Sequence, residues 1–249
     1  MRVLAWFSCG DASAVAAKYA IEDYGDAVEI CYCDTLKYEH PDNRRFLEAI
    51  EQWLQRPITI LKSTEYSDIF DVFDKTGWLV GAAGARCTTE LKKVVRRNYE
   101  RPDDIHVFGF TVDEEKRVER FRGENPELQA VFPLQIRGLT KADCHRIIRD
   151  AGIELPMMYR LGYHNNNCIG CVKGGLGYWN KIRVDFPAAF AQMAQQERKM
   201  NVAINKTEVR EGGKRKRIRV FLDELPPDLG RYDAEPDIEC GVICVQPQD

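Results

Sequence analysis

Short apolar runs alternate with helix-length segments through the first half of the chain, and that alternation leaves few folds open. Val3 to Phe7 ends at Ser8-Cys9-Gly10, and Ala12 to Tyr24 follows as a helix stopped by Gly25. Ala27 to Cys33 then reads as a strand, Pro41 to Gln55 as a helix and Ile58 to Lys62 as a strand. A helix over Thr88 to Glu100 precedes the apolar run Ile105 to Phe110. Apolar runs of strand length between helical segments predict β-α-β units, hence an α/β fold with a parallel twisted sheet covered by helices on both faces. Ligands of such sheets collect at the carboxyl ends of the strands, which places Ser8 to Ser13, Asp34-Thr35 and Gly109 to Thr111 along one edge.

After Pro133 the pattern changes. Thr140 to Ala151 is a capped helix, a cysteine loop comes next, and Pro187 to Met200 is an amphipathic helix whose Phe186, Phe190 and Met193 stripe reads as core packing. Asn205 to Leu222 reads as a hairpin turning at Gly212-Gly213, and a tail carries Cys240 and Cys244. The expected division is a nucleotide-binding α/β domain over 1–155, with a cysteine-loop and C-terminal extension over 156–249 packed on it. No heptad pattern or isolated apolar stripe indicates an oligomeric state.

The 249 residues suffice for one sizeable core, and 44% hydrophobic with 30% charged residues is the composition of a globular protein. No apolar run approaches the roughly 20 residues that span a bilayer, and the N-terminal apolar run is short for a secretory leader. A cytoplasmic, reducing setting without membrane attachment is therefore expected. In that setting nine cysteines point to thiols, metal ligands or redox groups rather than disulfides. A formal net charge of −3 argues against a protein that coats nucleic acid. The local basic stretches Lys92-Lys93 with Arg96-Arg97, and Lys214 to Arg217, read as a solvated helix face and a charged strand edge.

Two constellations carry the chemistry. Ser8-Cys9-Gly10-Asp11-Ala12-Ser13 opens a helix after the first strand, where unpaired N–H groups and the helix dipole favour a phosphate or sulfate. Cys168-Ile169-Gly170-Cys171 follows Leu161-Gly162-Tyr163-His164 and three asparagines. Its thiols can share one metal centre but need partners from elsewhere. Spacing alone permits a zinc site of Cys168, Cys171, Cys240 and Cys244. Cys31, Cys33 and Cys144 alternate with apolar residues and read as packing, and Cys9 sits in the anion loop. Of four histidines, only His164 lies beside the cysteine loop.

The anion loop resembles the PP-loop of the adenine-nucleotide alpha-hydrolase group, S-G-G-x-D-S. Ser8, Gly10 and Ser13 match, Cys9 replaces a glycine and Ala12 replaces the aspartate. Within that group the chain resembles the phosphoadenosine phosphosulfate and adenylyl sulfate reductases over most of its length. Asp34-Thr35 stands where they carry Asp-Thr-Gly, with Leu36 in place of the glycine. Arg86-Cys87-Thr88-Thr89-Glu90-Leu91-Lys92 is similar to their C-C-x-x-R-K, with Thr88 for the second cysteine and Lys92 on the basic position. Pro133-Leu134, Gly162-Tyr163, Cys168-x-x-Cys171 and Glu239-Cys240-Gly241 follow in the same order, and Thr111 stands where an arginine is expected before Arg117 and Arg120.

The resemblance implies a sulfonucleotide reductase, an oxidoreductase of sulfur metabolism. Ser8, Gly10, Ser13, Asp34 and Lys92 would hold an adenine nucleotide, and Cys87, Cys168 and Cys171 a [4Fe-4S] cluster, with the fourth position open or filled by Cys244. Cys240 would attack sulfur, with Cys244 or a thiol reductant protein resolving the product. Ala12 weighs against ATP hydrolysis. Two other readings stay open: ATP-dependent iron–sulfur thiolation of tRNA or DNA, and an inactive nucleotide-binding module stapled by a structural metal such as zinc.

Overall fold

A computed structural model describes residues 1–81, 84–211, 214–238 and 240. In chain order the strands are β1 (Val3–Phe7), β2 (Val28–Cys33), β3 (Ile58–Leu61), the two-residue β4 (Val80–Gly81) and β5 (Gly84–Ala85), β6 (Ile105–Val107), β7 (Gln129–Val131), β8 (Asn205–Glu211) and β9 (Lys214–Val220). The main helices are α1 (Asp11–Tyr24), α2 (Asn43–Leu54), α3 (Ile69–Thr76), α4 (86–99), α5 (Glu115–Glu124), α6 (Lys141–Asp150), α7 (Leu176–Asp185) and α8 (Pro187–Met200). Five strands form a parallel sheet in the order β3-β2-β1-β6-β7, while β4–β5 and β8–β9 are separate antiparallel ribbons.

β1 is buried throughout because both of its faces are covered. Val3, Ala5 and Phe7 pack with Ala14, Phe46, Ile50 and Ile148, from α1, α2 and α6. Leu4 and Trp6 face the other way, against Val95 of α4 and Phe121 of α5. The expected α/β sheet with helices on both faces is therefore the observed one. A third cluster joins Ile69, Val72, Phe73 and Leu79 to Met158, Trp179, Ile182 and Met193, so the later part of the chain shares a core with residues around α3. Phe186 and Phe190 lie against this cluster, as their stripe implied. Among the described residues no helix is long and apolar enough to cross a membrane.

Several elements begin and end on local chemistry. Thr140 caps α6 in a box with Asp143, and Asp68 caps α3 by accepting from the Phe70 and Asp71 amides. The predicted helix over Thr88 to Glu100 contains a π-helical stretch, Thr89–Lys93, that periodicity does not reveal. β6 ends at Val107, short of the predicted Phe110, because the chain leaves the sheet to line the crevice described below.

His106 of β6 is 1% exposed, and its Nδ1 accepts from Trp6 Nε1 at 3.0 Å. Burial, aided by the Arg96 charge, lowers its pKa from 6.5 to about 4. The unfolded chain therefore binds the proton more readily between those values, and stability rises with pH across that window. Keeping His106 neutral contributes fully above about pH 6.5, and about 3 kcal/mol is lost as pH falls to about 4. Urea unfolding at pH 7, 5.5 and 4.5 should show this decline, and His106→Gln should flatten it. An unchanged slope in the variant would assign the decline to other groups.

Candidate active site at the switch point

The strand order reverses between β1 and β6, so the crossover connections leaving those two strands go to opposite sides and a crevice opens at their carboxyl ends. A cavity of about 680 Å³ fills it, with walls that include Ser8, Gly10, Ser13, Lys92, Phe110 and Cys240. Gly109 makes the crossing possible: a Cβ there would lie 2.7 Å from Ser13 Cα and 2.8 Å from the Ala12 carbonyl. α1 thus starts in contact with the chain just past β6, and Gly10 to Ser13 line the cavity.

The anion loop is tight. Cys9 adopts φ 59°, a left-handed conformation that favours glycine, at the position where the PP-loop carries one. Its thiol is buried against the Asn43 carbonyl at 3.4 Å, and burial raises its pKa well above the ordinary value, so Cys9 is a packed residue. Ser13 Oγ accepts from the Ser8 amide at 3.0 Å and donates to the Gly10 carbonyl at 2.8 Å, while Ser8 Oγ lies 3.1 Å from Ser13 Oγ. Asp34 ends β2 but does not line the cavity. Its carboxylate accepts from the Leu36 amide at 3.1 Å and pairs with Lys62 at 3.4 Å.

Two wall residues carry polar groups that sequence reasoning passed over. Asp11 is 1% exposed, and its Oδ2 lies 3.1 Å from His145 Nε2 on α6. Burial raises its pKa, against the pull of His145 and Tyr159. Asn166 donates to the Cys9 carbonyl at 2.6 Å and to Asn43 Oδ1 at 2.9 Å, while its own Oδ1 is buried without a partner among the described residues. An acceptor left so beside a cavity is suited to a ligand N–H or O–H. The run Asn165-Asn166-Asn167, which lines the cavity, was the available sequence clue. Arg117, stacked 4.3 Å over Phe110 and paired with Glu114 at 2.5 Å, and Arg120 line the same wall.

Behind this wall four thiols meet. Cys87, Cys168, Cys171 and Cys240 line one small cavity together with Thr88 and Lys92. Tyr178, itself buried, fixes the Cys168-x-x-Cys171 turn from both ends: its hydroxyl accepts from the Cys171 amide at 2.9 Å and donates to the Cys168 carbonyl at 3.2 Å. Cys240 Sγ lies 3.6 Å from Thr88 Oγ1. Burial pushes the Cys87 thiol up to about 12 and raises Cys168 strongly, and the contact with Cys240 does the same for Cys171, with burial adding to it. Cys87, Cys168 and Cys171 form no disulfide with any described residue.

Lys92, 9% exposed and set by the π-helical stretch of α4, lines both cavities, as does Cys240. Burial works against its charge, but Cys240, Cys168, Glu39 and Cys33 around it raise its pKa well above the ordinary value. The donor set, all thiols in a mostly buried site, is one that suits a thiolate-bound metal. Among the described residues no three His, Cys, Asp or Glu side chains are arranged to hold a single metal ion. Cys244, and with it the zinc set of Cys168, Cys171, Cys240 and Cys244, lies outside the described residues, as do Glu239 and Gly241.

A strap over residues 229–238 holds Cys240 in place. Glu235 accepts from the Gly177 and Tyr178 amides at the start of α7 at 2.6 and 3.1 Å, Tyr232 accepts from the His164 amide at 2.7 Å, and Asn167 donates to the Ile238 carbonyl at 3.0 Å. Strap and helix cross through glycines: a Cβ on Gly177 would lie 2.4 Å from the Tyr232 nitrogen, and one on Gly230 2.4 Å from the Gly177 nitrogen. His164, stacked on Tyr232 at 4.6 Å and 3.4 Å from Asp237, belongs to this seam.

The chain is similar in structure to a phosphoadenylyl-sulfate (PAPS) reductase. The match, to the crystal structure of the Candida auris enzyme in a phosphate complex, has a TM-score of 0.49 at 15% identity and covers 68% of this chain and 81% of that one. No protein-family model matches the chain, and no curated protein matches it in sequence.

The glycine crossing makes a direct prediction. Gly177→Ala forces the strap off α7, since the atoms met are backbone. Limited trypsin digestion should then cut after Arg231 roughly tenfold faster or more, as the opened fraction of the strap grows. Equal cleavage rates in the variant and the natural chain would show that the strap is not seated on that helix.

Proposed function

We propose that this chain is a sulfonucleotide reductase-like enzyme: it binds an adenine nucleotide carrying a sulfuryl group in the switch-point cavity and transfers that group to Cys240. The observation that carries this reading is that Lys92 and Cys240 line both the open cavity and the thiol cavity. The anionic end of a bound nucleotide therefore has a buried ammonium and a half-buried thiol within one wall. The first-turn amides of α1 with Ser8, Gly10 and Ser13 bind the phosphate, and Arg117 and Arg120 neutralise further charge.

Cys87, Cys168 and Cys171 would hold a [4Fe-4S] cluster, and their thiol chemistry and burial fit it. When bound, the cluster supplies an iron centre with Lewis-acid and redox character beside the anionic group. The chain's own residues carry the chemistry of the first step. The Cys240 thiolate forms an S–S bond with the sulfuryl sulfur, the S–O bond to the phosphate breaks, and the nucleotide leaves with that electron pair. An external dithiol then attacks Cys240 Sγ, releases sulfite and is oxidised to its disulfide as Cys240 returns to the thiol. Lys92 holds the negative charge that gathers between leaving phosphate and sulfuryl oxygens.

Purified anaerobically and supplied with adenylyl sulfate or phosphoadenylyl sulfate and a dithiol, the protein should release sulfite. Cys240→Ser should lower that rate by roughly 10³-fold or more, and Lys92→Met by roughly 10²-fold. No sulfite from either nucleotide, or a Cys240→Ser variant of undiminished rate, overturns the assignment. AMP or pyrophosphate formed from ATP in its place would point to ATP-driven sulfur transfer. A preparation with roughly four irons per chain and visible absorption supports the cluster, and one carrying zinc alone contradicts it.

A further inference from the structure

The β8–β9 ribbon is a concentration of charge that the reaction above does not use. Residues 205–220 hold seven Lys or Arg against two Glu, in a chain whose formal net charge is −3. The ribbon pairs with no other sheet, and residues 215–219 are exposed. Its register sets Lys206 opposite Arg219, Glu208 opposite Arg217 and Arg210 opposite Arg215. Alternation puts Lys206, Glu208, Arg215, Arg217 and Arg219 on one face. Lys206 and Arg219 are a like-charge pair, an arrangement that weakens a sheet. Glu208 moderates that face, 3.8 Å from Arg215 and 3.4 Å from Arg217, whose side chains remain 72% and 76% exposed.

The root of this ribbon is fixed. Glu197 of α8, wholly buried, accepts from the Ile204 and Leu222 amides, each at 2.6 Å, and so clamps both strands where they leave the core. Val220 is buried there, and Arg219 donates to the Ala203 carbonyl at 2.7 Å. A seven-residue strand extends about 23 Å at ~3.3 Å per residue. The result is a rooted arm with a cationic face, built at some expense to its own pairing.

We propose that this arm docks a DNA duplex, its basic face on the phosphate backbone. The B-form major groove admits a two-stranded β-ribbon, whereas the A-form groove of duplex RNA is too deep and narrow for it. Arginine, the residue at three of the four described basic positions of that face (Arg215, Arg217 and Arg219), pairs with phosphate through two parallel N–H bonds. The docking goes beyond the proposed reaction and does not depend on it.

Fluorescence anisotropy of a labelled 20-base-pair DNA duplex with the full chain, across a salt series, tests the proposal. The duplex should bind with a Kd of roughly 10⁻⁴ to 10⁻⁶ M, and each phosphate contact should contribute about −0.9 to the slope of log K against log salt. Arg215→Glu with Arg217→Glu should weaken binding at least tenfold and reduce the slope by about two, leaving the melting temperature and adenine-nucleotide binding unchanged. The proposal is overturned by no duplex binding at low salt, by a double variant that binds as tightly, or by equal or tighter binding of an RNA duplex or of polyglutamate. Loss of the melting transition together with binding would also overturn it, since the ribbon would then be part of the fold's support. Nucleotide binding lost in the natural chain while DNA binding persists would refute the proposed reaction alone.

Discussion

A parallel sheet whose strand order reverses cannot cover its own edge at the point of reversal. Here that point is the β1–β6 boundary, and the rest of the molecule is arranged around the crevice it leaves. The close contact of Gly109 with the start of α1 brings two strand ends and one helix N-terminus to the same rim. A helix N-terminus at the rim of a crevice is a place that favours an anion. The cavity is then closed by segments that arrive from far along the chain: the π-helical stretch of α4, the asparagine run before Cys168, and the strap that ends at Cys240.

Those segments also define the second cavity. Cys87 comes from α4, Cys168 and Cys171 from a turn pinned by the Tyr178 hydroxyl, and Cys240 from a strap laid across α7 through Gly177 and Gly230. Each arrives by a different device, and none of the three positions its thiol alone. Lys92, with Cys240, is where the two cavities meet. Its side chain is buried where a charge is tolerated only because acidic groups surround it. A buried ammonium shared by an open pocket and a thiol cluster is the feature from which the proposed chemistry follows.

Much of this was legible in the sequence, for identifiable reasons. β1, the loop and α1 announce themselves because a fully buried strand is a continuous apolar run and the helix stops at Gly25. β7 did not, since three residues at a sheet edge, none of them buried, carry no period. The cysteines of the thiol cavity were all named, but spacing could not say that Cys240 meets Cys171. That contact depends on a strap whose path is set by glycine crossings and by Glu235. Asp34 was placed at the right edge, yet its carboxylate turns to Lys62. Asp11 and His145 were passed over because their meeting depends on how α6 packs against α1.

The central claim is that the switch-point cavity and the thiol cavity are one site. Alkylation by N-ethylmaleimide, followed by mass spectrometry for each cysteine with and without AMP, measures this most directly. Cys240 should react in the free protein and slow by roughly tenfold or more when AMP fills the cavity it lines, while Cys144, buried beneath α6, should be unaffected. Equal labelling of Cys240 in both states, or none in either, would contradict the account.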